Sequence, residues 1–118
     1  MYVNNVIIVG NLTADPRIGD AESTKVVNFR VAVNRWRKPG QEGDENVTEH
    51  TEFIDVECWG SQAANVEATL HRGDRAIVAG QLRYEQWNDE SGTLKSRLKI
   101  KAFAVGPSLE FQALTSNR

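Results

Sequence analysis

The sequence predicts an all-β domain with one short helix, and three observations lead to this prediction. Apolar and polar residues alternate with a period of two along several short segments, which is the pattern of strands with one buried face. Glycine, proline, asparagine and aspartate residues separate these segments at short intervals, as turns do in small β domains. Only one segment shows the helical spacing of apolar residues.

The first half of the chain contains three predicted strands. Residues 3–12 are rich in valine and isoleucine, and residues 13–24 read as a loop. Residues 25–36 and 51–59 alternate clearly, and residues 38–50 between them form a long solvated loop or hairpin tip. The residues predicted to face the core from the two alternating strands are Val27, Phe29, Val31, Val33, Ile54, Val56 and Cys58.

The second half begins with the predicted helix at residues 61–72. Ser61 is suited to the N-cap, and Gly73 is suited to the left-handed position after the last turn. The apolar residues with helical spacing are Ala63, Val66 and Leu70. This segment is the only helix candidate in the chain.

Two further strands are predicted at residues 75–87 and 93–105, joined by a turn at residues 88–92. Gly106 and Pro107 are expected to stop the last strand. One face of that strand carries Leu98, Ile100, Ala102 and Ala104. The opposite face carries a basic stripe of Lys95, Arg97, Lys99 and Lys101.

The predicted order is three strands, one helix and two strands, which is the order of the OB-fold, a five-stranded Greek-key β-barrel. A β-sandwich would need more strands, and an α/β fold would need more helices. We therefore predict an OB domain at residues 1–106. Residues 107–118 form a short C-terminal extension, as an extra strand or a frayed end.

Composition restricts the classes of function. A chain of 118 residues and 13.2 kDa fits one domain. It shows no signal peptide and no stretch near the ~20 apolar residues of a membrane helix. The single cysteine, Cys58, cannot form an internal disulfide, which favours a reducing compartment. We therefore expect a cytoplasmic protein with no membrane partner. The net charge of −2 excludes no partner, because a total can hide a basic patch.

Four aromatic residues fall on faces that the alternation predicts to be exposed. They are Trp36, Phe53, Trp59 and Trp87. Large exposed rings mark binding surfaces, and unpaired bases of single-stranded nucleic acid stack on such rings at ~1–3 kcal/mol per base. Any one ring could equally serve core or subunit-interface packing, because a bulge shifts the period-two pattern by one residue.

Basic residues accompany the rings. Arg35, Arg37 and Lys38 surround Trp36, and the basic stripe follows the last predicted strand. The acidic residues gather instead in the loops at residues 13–24 and 38–50. Cations on strand faces and acids in loops suit a nucleic-acid surface, although a plain solvated strand face would show the same stripe.

Catalytic features are weak. Asp55 and Glu57 share a face and could hold a metal ion, as a metal-dependent nuclease would need, but no histidine or third acid accompanies them at ligand spacing. No nucleophile–base motif and no glycine-rich phosphate loop is present in the sequence. We predict no metal, no cofactor and no enzymatic activity.

Several motifs in this order resemble the bacterial single-stranded DNA-binding proteins. They are residues 5–12 followed by Asp15-Pro16, residues 27–37, residues 51–60, Arg72-Gly73-Asp74, residues 80–83, and Trp87 before residues 89–92. The resemblance runs from about residue 3 to residue 105. It implies an OB-fold homotetramer that wraps single-stranded DNA around its outside.

The resemblance also implies which residues contact DNA. Trp36, Phe53, Trp59 and Trp87 fall on the four stacking positions of the family, with a ring kept at each. Together with the basic pattern, it makes seven residues candidates for phosphate contacts: Arg35, Arg37, Lys38, Arg72, Arg83, Arg97 and Lys99.

One departure concerns the C-terminus. Typical members continue into a long flexible tail whose acidic, hydrophobic tip recruits other proteins, and this chain shows no such segment after Pro107. Either the chain is a short paralogue or the tail has been removed. Replication and repair partners recruited through a tail are therefore not expected.

The sequence predicts a protein that binds single-stranded DNA without strong sequence preference and protects it during replication, recombination, repair or DNA uptake, in association with the nucleoid. One alternative is an OB-fold protein-interaction module of the primosomal restart type. Another is an RNA-binding OB domain, because stacking tolerates either sugar.

Overall fold

The computed structural model describes residues 3–19, 25–36, 49–111 and 113–114, without the side chains of Arg35, Trp36 and Glu49. Its elements are β1 (Val6–Leu12), β2 (Arg17–Ile18), β3 (Val26–Trp36), β4 (Glu49–Trp59), α1 (Gly60–Thr69), β5 (Arg75–Asn88) and β6 (Leu94–Pro107). The prediction of an all-β protein with one short helix is confirmed. The predicted loop at residues 38–50 lies outside the described residues up to residue 48, and its last two residues belong to β4.

Five strands close into a barrel. Neighbouring strands follow the order β1, β5, β6, β4, β3, and a short pairing of β1 with β3 at Asn11 and Leu12 completes the ring. All pairs are antiparallel except β4 with β6. This arrangement confirms the predicted OB-type barrel. The sequence did not predict β2, a two-residue strand that pairs with β3 from outside the ring.

The barrel interior is filled by the residues that the alternation assigns to the core. Val27, Val31 and Cys58 are fully buried, and Phe29 and Val56 nearly so. Burial raises the pKa of the Cys58 thiol to about 12, so this cysteine packs as an apolar residue. The helix α1 packs against β3, β4 and β6 and adds Ala63, Val66 and Leu70 to the same core.

The helix differs from its prediction at both ends. It begins at Gly60, and the N-cap is Trp59, which makes no side-chain capping bond, so the prediction of Ser61 as N-cap was wrong. It ends at Thr69 because Leu70 is extended and buried in the core. Gly73 has the expected positive φ of 89°, but it lies in the turn that follows rather than directly after the helix.

A β-bulge changes the faces of β6. The register with β5 shifts between Ala79 and Gly80, so that Phe103 has no partner between Ala102 and Ala104. The extra residue reverses the alternation beyond it: Ala104 is exposed and Val105 packs against the core. The prediction that Ala104 shares the face of Ile100 was therefore wrong.

The far halves of β5 and β6 extend past the barrel. We call residues 82–98 the hairpin arm. The alternation of the barrel continues along it, but its apolar residues Leu82, Tyr84, Leu94 and Leu98 are all exposed. Leu98 shares the face of Ile100 as predicted, but it is 59% exposed because the arm has no core beneath it among the described residues.

Candidate nucleic-acid interface

One surface of the barrel collects the outward-facing residues of four adjacent strands. Register places Arg30 opposite Asp55, Asp55 beside Lys99, and Lys99 opposite Arg83, so that one row crosses β3, β4, β6 and β5. Side chains of paired residues lie on the same side of a sheet. We call this surface the outer face. It continues along the arm through Glu85, Arg97, Trp87 and Lys95.

The aromatic residues of the outer face are exposed as predicted. Phe53 is 62% exposed, Trp59 is 39% exposed and Trp87 is 41% exposed. The backbone of Trp36 pairs with Glu49 at the end of β3, and the Trp36 side chain lies outside the described residues. Three of the four predicted rings therefore lie on one side of the sheet, where a ligand can reach them.

Polar neighbours hold two of these rings. The indole N–H of Trp59 donates to Oε1 of Glu57 at 2.7 Å, and Nζ of Lys101 lies 5.6 Å from the Trp59 ring centroid. Cζ of Arg97 lies 5.4 Å from the ring centroid of Trp87. Cations at these distances are attracted to the ring quadrupole. These contacts restrain the orientation of both tryptophan rings.

The predicted phosphate contacts fall into three groups. Arg72 and Arg83 are exposed and make no ion pair with any described residue. Arg37 and Lys38 lie outside the described residues, as does the side chain of Arg35. The remaining two, Arg97 and Lys99, contact carboxylates. All seven assignments stay predictions.

Three cations and three carboxylates alternate across the outer face, and we call this set the charge network. In order of contact its members are Arg30, Asp55, Arg97, Glu85, Lys99 and Glu57. The exposed half of the network centres on Asp55. Its Oδ1 accepts from Nε of Arg30 at 2.9 Å, and its Oδ2 lies 3.9 Å from Nη1 of Arg97.

The half-buried part of the network centres on Lys99. Its Nζ lies 2.8 Å from Glu85 and 2.5 Å from Glu57. Burial lowers the pKa of Lys99, but the hydrogen bonds and charges of the two glutamates outweigh it and raise the pKa overall. The hydrogen bond from Lys99 in turn lowers the pKa of Glu85. Both shifts favour the charged forms of Lys99 and Glu85.

A cleft of about 270 Å³ lies beside the Arg30–Asp55 pair. The loop after β1 forms one wall through Thr13 and Asp15, and β2 contributes Arg17. The described residues contain no group of three histidine, cysteine or acidic side chains placed to hold a metal ion. Asp55 and Glu57, the pair considered for a metal, each contact a cation instead. Within the same residues, no helix has the length and apolarity needed to cross a membrane.

The fold and the outer face define a small OB-fold binding protein. The model of the Single-strand binding protein family matches residues 3–108, and the chain belongs to this family. Because this is a family of binding proteins, the prediction that the chain is not an enzyme is confirmed. The resemblance noted from the motifs is confirmed with it.

Relatives are similar along most of this chain. A single-stranded DNA-binding protein of Corynebacterium glutamicum is 34% identical over 91% of the chain and 48% of its own length. One of Treponema pallidum is 35% identical over 87% of the chain and 56% of its own length. Single-stranded DNA-binding protein 2 of Chlorobaculum tepidum is 34% identical over 85% of the chain and 67% of its own length. The chain thus spans about half to two thirds of the length of these relatives.

Sequence reasoning missed the network as a unit. It noted Asp55 and Glu57 as same-face carboxylates but not their cation partners, and it gave no role to Arg30 or Glu85. A signal was present in the alternation. It places Arg30 on the exposed face of β3, and it places Asp55 and Glu57 on the exposed face of β4 together with Phe53 and Trp59. Residues of opposite charge on the same face of neighbouring strands predict ion pairs, but only once the register of the strands is known.

Proposed function

We propose that this protein binds single-stranded DNA on its outer face, without strong sequence preference. One observation carries the proposal: three exposed rings lie on the same sheet surface as a set of cations, at the strand positions where the family resemblance puts base stacking. Family membership and the names of the relatives support the ligand class.

Base stacking would provide the first part of the affinity. A cation lies against Trp59 and against Trp87, so a base would stack on the ring surface that the cation leaves open. No cation of the described residues lies over the Phe53 ring, which is exposed and open to a base. Stacking contributes about 1–3 kcal/mol per base and distinguishes little between bases, because every base has a π face. We include Trp36 among the stacking residues because the alternation places it on the same face of β3 as Arg30 and Asn34.

Phosphate contacts would provide the second part. Arg83 lies in the central row of the outer face, and Arg72 follows α1; both are exposed cations without an ion pair among the described residues. We include Arg35, Arg37 and Lys38 from the sequence pattern. We also include Arg97 and Lys99, which must release a carboxylate partner before they can contact a phosphate. Each phosphate contact releases a counterion, so the affinity should fall with salt.

We further propose a homotetramer, supported by two unpartnered apolar surfaces. Among the described residues, residues 6–10 of β1 pair with β5 alone, and Ile7 is 73% exposed at this edge, diagonally across from Ile77. The apolar side of the hairpin arm is a second surface. Two different self-complementary surfaces are what a dimer of dimers requires. Sedimentation equilibrium would test this: a mass near four chains supports it and a monomer rejects it.

The domain division and the setting are also proposals. We propose an OB domain at residues 1–106 with the extension at 107–118, where Ser108 still donates its backbone N–H to Arg75. We place the protein in the cytoplasm with the nucleoid, where replication, recombination and repair expose single strands.

Tryptophan fluorescence titration tests the proposed function. The protein is titrated with an oligothymidine, an oligouridine and a duplex, at low and near-physiological salt. Strong quenching by the single strand, weak response to the duplex and loss of affinity with salt support the proposal. Equal quenching by oligouridine would show an RNA-tolerant surface. No quenching at low salt would reject DNA binding and favour the protein-interaction module, with the exposed apolar surfaces as its contacts.

A further inference from the structure

The charge network lies in the middle of the surface proposed to hold DNA, and this position has a consequence for affinity. We infer that Asp55 limits the affinity for single-stranded DNA, because it competes with the phosphates for Arg30 and Arg97. The inference rests on the proposed function and concerns a residue that stacks on no base and contacts no phosphate. It implies that removing a charged side chain from the binding surface makes binding tighter.

The geometry supports a competition. Asp55 accepts a hydrogen bond from Nε of Arg30 at 2.9 Å and lies 3.9 Å from Nη1 of Arg97. Two cations of the outer face therefore already have a carboxylate partner. A phosphate can take either guanidinium only by replacing that carboxylate, and the carboxylate then repels the phosphate. Arg30 also lines the cleft beside the pair, where a backbone phosphate could reach it.

Exposure shows which part of the network can exchange. The side chains of Arg30 and Arg97 are 55% and 45% exposed, and exposed ion pairs are weak and screened by salt. Lys99 and Glu57 are only 15% and 13% exposed, and Lys99 keeps two carboxylates. Glu57 in addition holds the Trp59 indole. The Lys99 half therefore supports the stacking surface, and Asp55 is the carboxylate that competes.

Counterion release gives the expected size of the effect. Each cation that neutralises a phosphate of a single strand changes the slope of log K against log salt by about −0.7. Freeing Arg30 for one phosphate should therefore steepen the slope by ~0.7. At ~0.1 M salt the same relation corresponds to about a five-fold gain in affinity.

The experiment compares Asp55→Asn with the wild-type protein in oligothymidine titrations over a range of salt. The amide keeps the shape of the side chain and removes its charge. Glu110→Gln is the matched control, since it also removes one carboxylate from an arginine, Arg75, at 3.0 Å. Neither Arg75 nor Glu110 forms an ion pair with a described member of the charge network.

Two further variants show whether a gain in affinity comes from a released cation or from the change in total charge. In the double variant Asp55→Asn/Arg30→Gln, the gain should be largely lost, because the released guanidinium is absent. Glu85→Gln removes the other carboxylate of Arg97 and should give a smaller gain than Asp55→Asn, because Arg97 keeps Asp55 and Lys99 keeps Glu57. Circular dichroism of each variant confirms that it is folded, and Asp55→Ser, which also removes the charge, replaces Asp55→Asn in the same comparison should the amide variant unfold.

The outcomes are distinct. Tighter binding and a steeper salt slope for Asp55→Asn, with no change for Glu110→Gln, support the inference. A wild-type protein that binds oligothymidine while Asp55→Asn binds equally or more weakly overturns the inference and leaves the proposed function intact. An equal gain in Glu110→Gln also overturns it, because total charge would then be the cause. A wild-type protein that fails to bind at low salt overturns both.

Discussion

The barrel portions of β5 and β6 and the hairpin arm are continuous strands with the same alternation, yet they differ completely in burial. On β5, Ala76, Val78 and Gly80 are buried, while Leu82 is exposed just two residues further on. On β6, Ile100 is fully buried, and Leu98 is 59% exposed. Local pattern does not distinguish the two regions, because what differs is whether another layer of structure lies across from the strand.

The difference shows how this fold divides its tasks. In the barrel the inward side chains meet the opposite strands and α1, so the outer face rests on a rigid wall. In the arm the described residues bury neither side, so one side can offer Trp87 and Arg97 to DNA while the other offers apolar residues to another subunit. We expect mutations in the barrel to affect folding and mutations in the arm to affect binding and assembly.

The largest expected effect comes from truncating a matched pair of residues on β6. Ile100→Ala should lower the free energy of unfolding by about 2–5 kcal/mol, because it leaves a cavity in a close-packed core. Leu98→Ala should change it by less than about 0.5 kcal/mol in the monomeric chain, because the side chain is exposed. Urea unfolding of both variants measures the difference, at a protein concentration where sedimentation shows monomers. Equal losses would show that the arm is packed and would break the comparison.

The boundary between the regions can be tested at Gly80, which faces inward at the bulge. A Cβ placed there would lie 2.2 Å from the carbonyl oxygen of Lys101 and 2.8 Å from a methyl carbon of Ile100. Gly80→Ala should therefore destabilise the barrel by about 1–3 kcal/mol. The control Gly106→Ala meets nothing within 4 Å and should be neutral or slightly stabilising. Comparable melting temperatures for the two variants would contradict this account of the bulge.

Tryptophan substitutions compare binding by the two regions. Trp59→Ala in the barrel and Trp87→Ala in the arm should each weaken oligothymidine binding by about 1–3 kcal/mol per stacked base lost, with little effect on unfolding. Trp59→Phe and Trp87→Phe are the controls, because they keep a ring and should retain most of the affinity. Unchanged affinity in a folded Trp59→Ala/Trp87→Ala double variant would reject stacking on these rings.

The smallest expected effect is a pH-dependent change at the tip of the arm. Asp89 Oδ1 accepts hydrogen bonds from the hydroxyl of Ser91 and from the backbone N–H groups of Ser91 and Thr93, and these lower its pKa from the ordinary 3.8. A lowered pKa stabilises the turn above pH 3.8, and the stabilisation is lost as the pH falls through the folded pKa. The amide chemical shifts of Ser91 and Thr93 should therefore move in acid, without unfolding of the barrel. In Asp89→Asn this titration should be absent.

Particular residues show what could be predicted from the sequence. The alternation of Val27, Phe29 and Val31 predicted their burial correctly, because a strand with one buried face carries this signal locally. The rings of Phe53, Trp59 and Trp87 were predicted to be exposed by the same logic, and they are. The family, and with it the fold, followed from motifs distributed along the whole chain.

Other features depended on pairing between distant segments. Ala104 was assigned to the wrong face because the bulge opposite Gly80 arises from the register of two strands. Ser61 was assigned as N-cap, although the buried position of Leu70 and the end of β4 set the limits of α1. The charge network was missed because its members come from four strands that only the barrel brings together.

By itself, the sequence determined which sides of β3 and β4 are apolar, which rings and cations share an exposed side, and to which family the chain belongs. Tertiary structure alone decided that Leu82 and Leu98 of the arm are exposed and that Asp55 faces Arg30 and Arg97. The physical reason is range: alternation is a property of neighbouring residues, whereas burial and ion pairing depend on which segments the closed barrel places against each other.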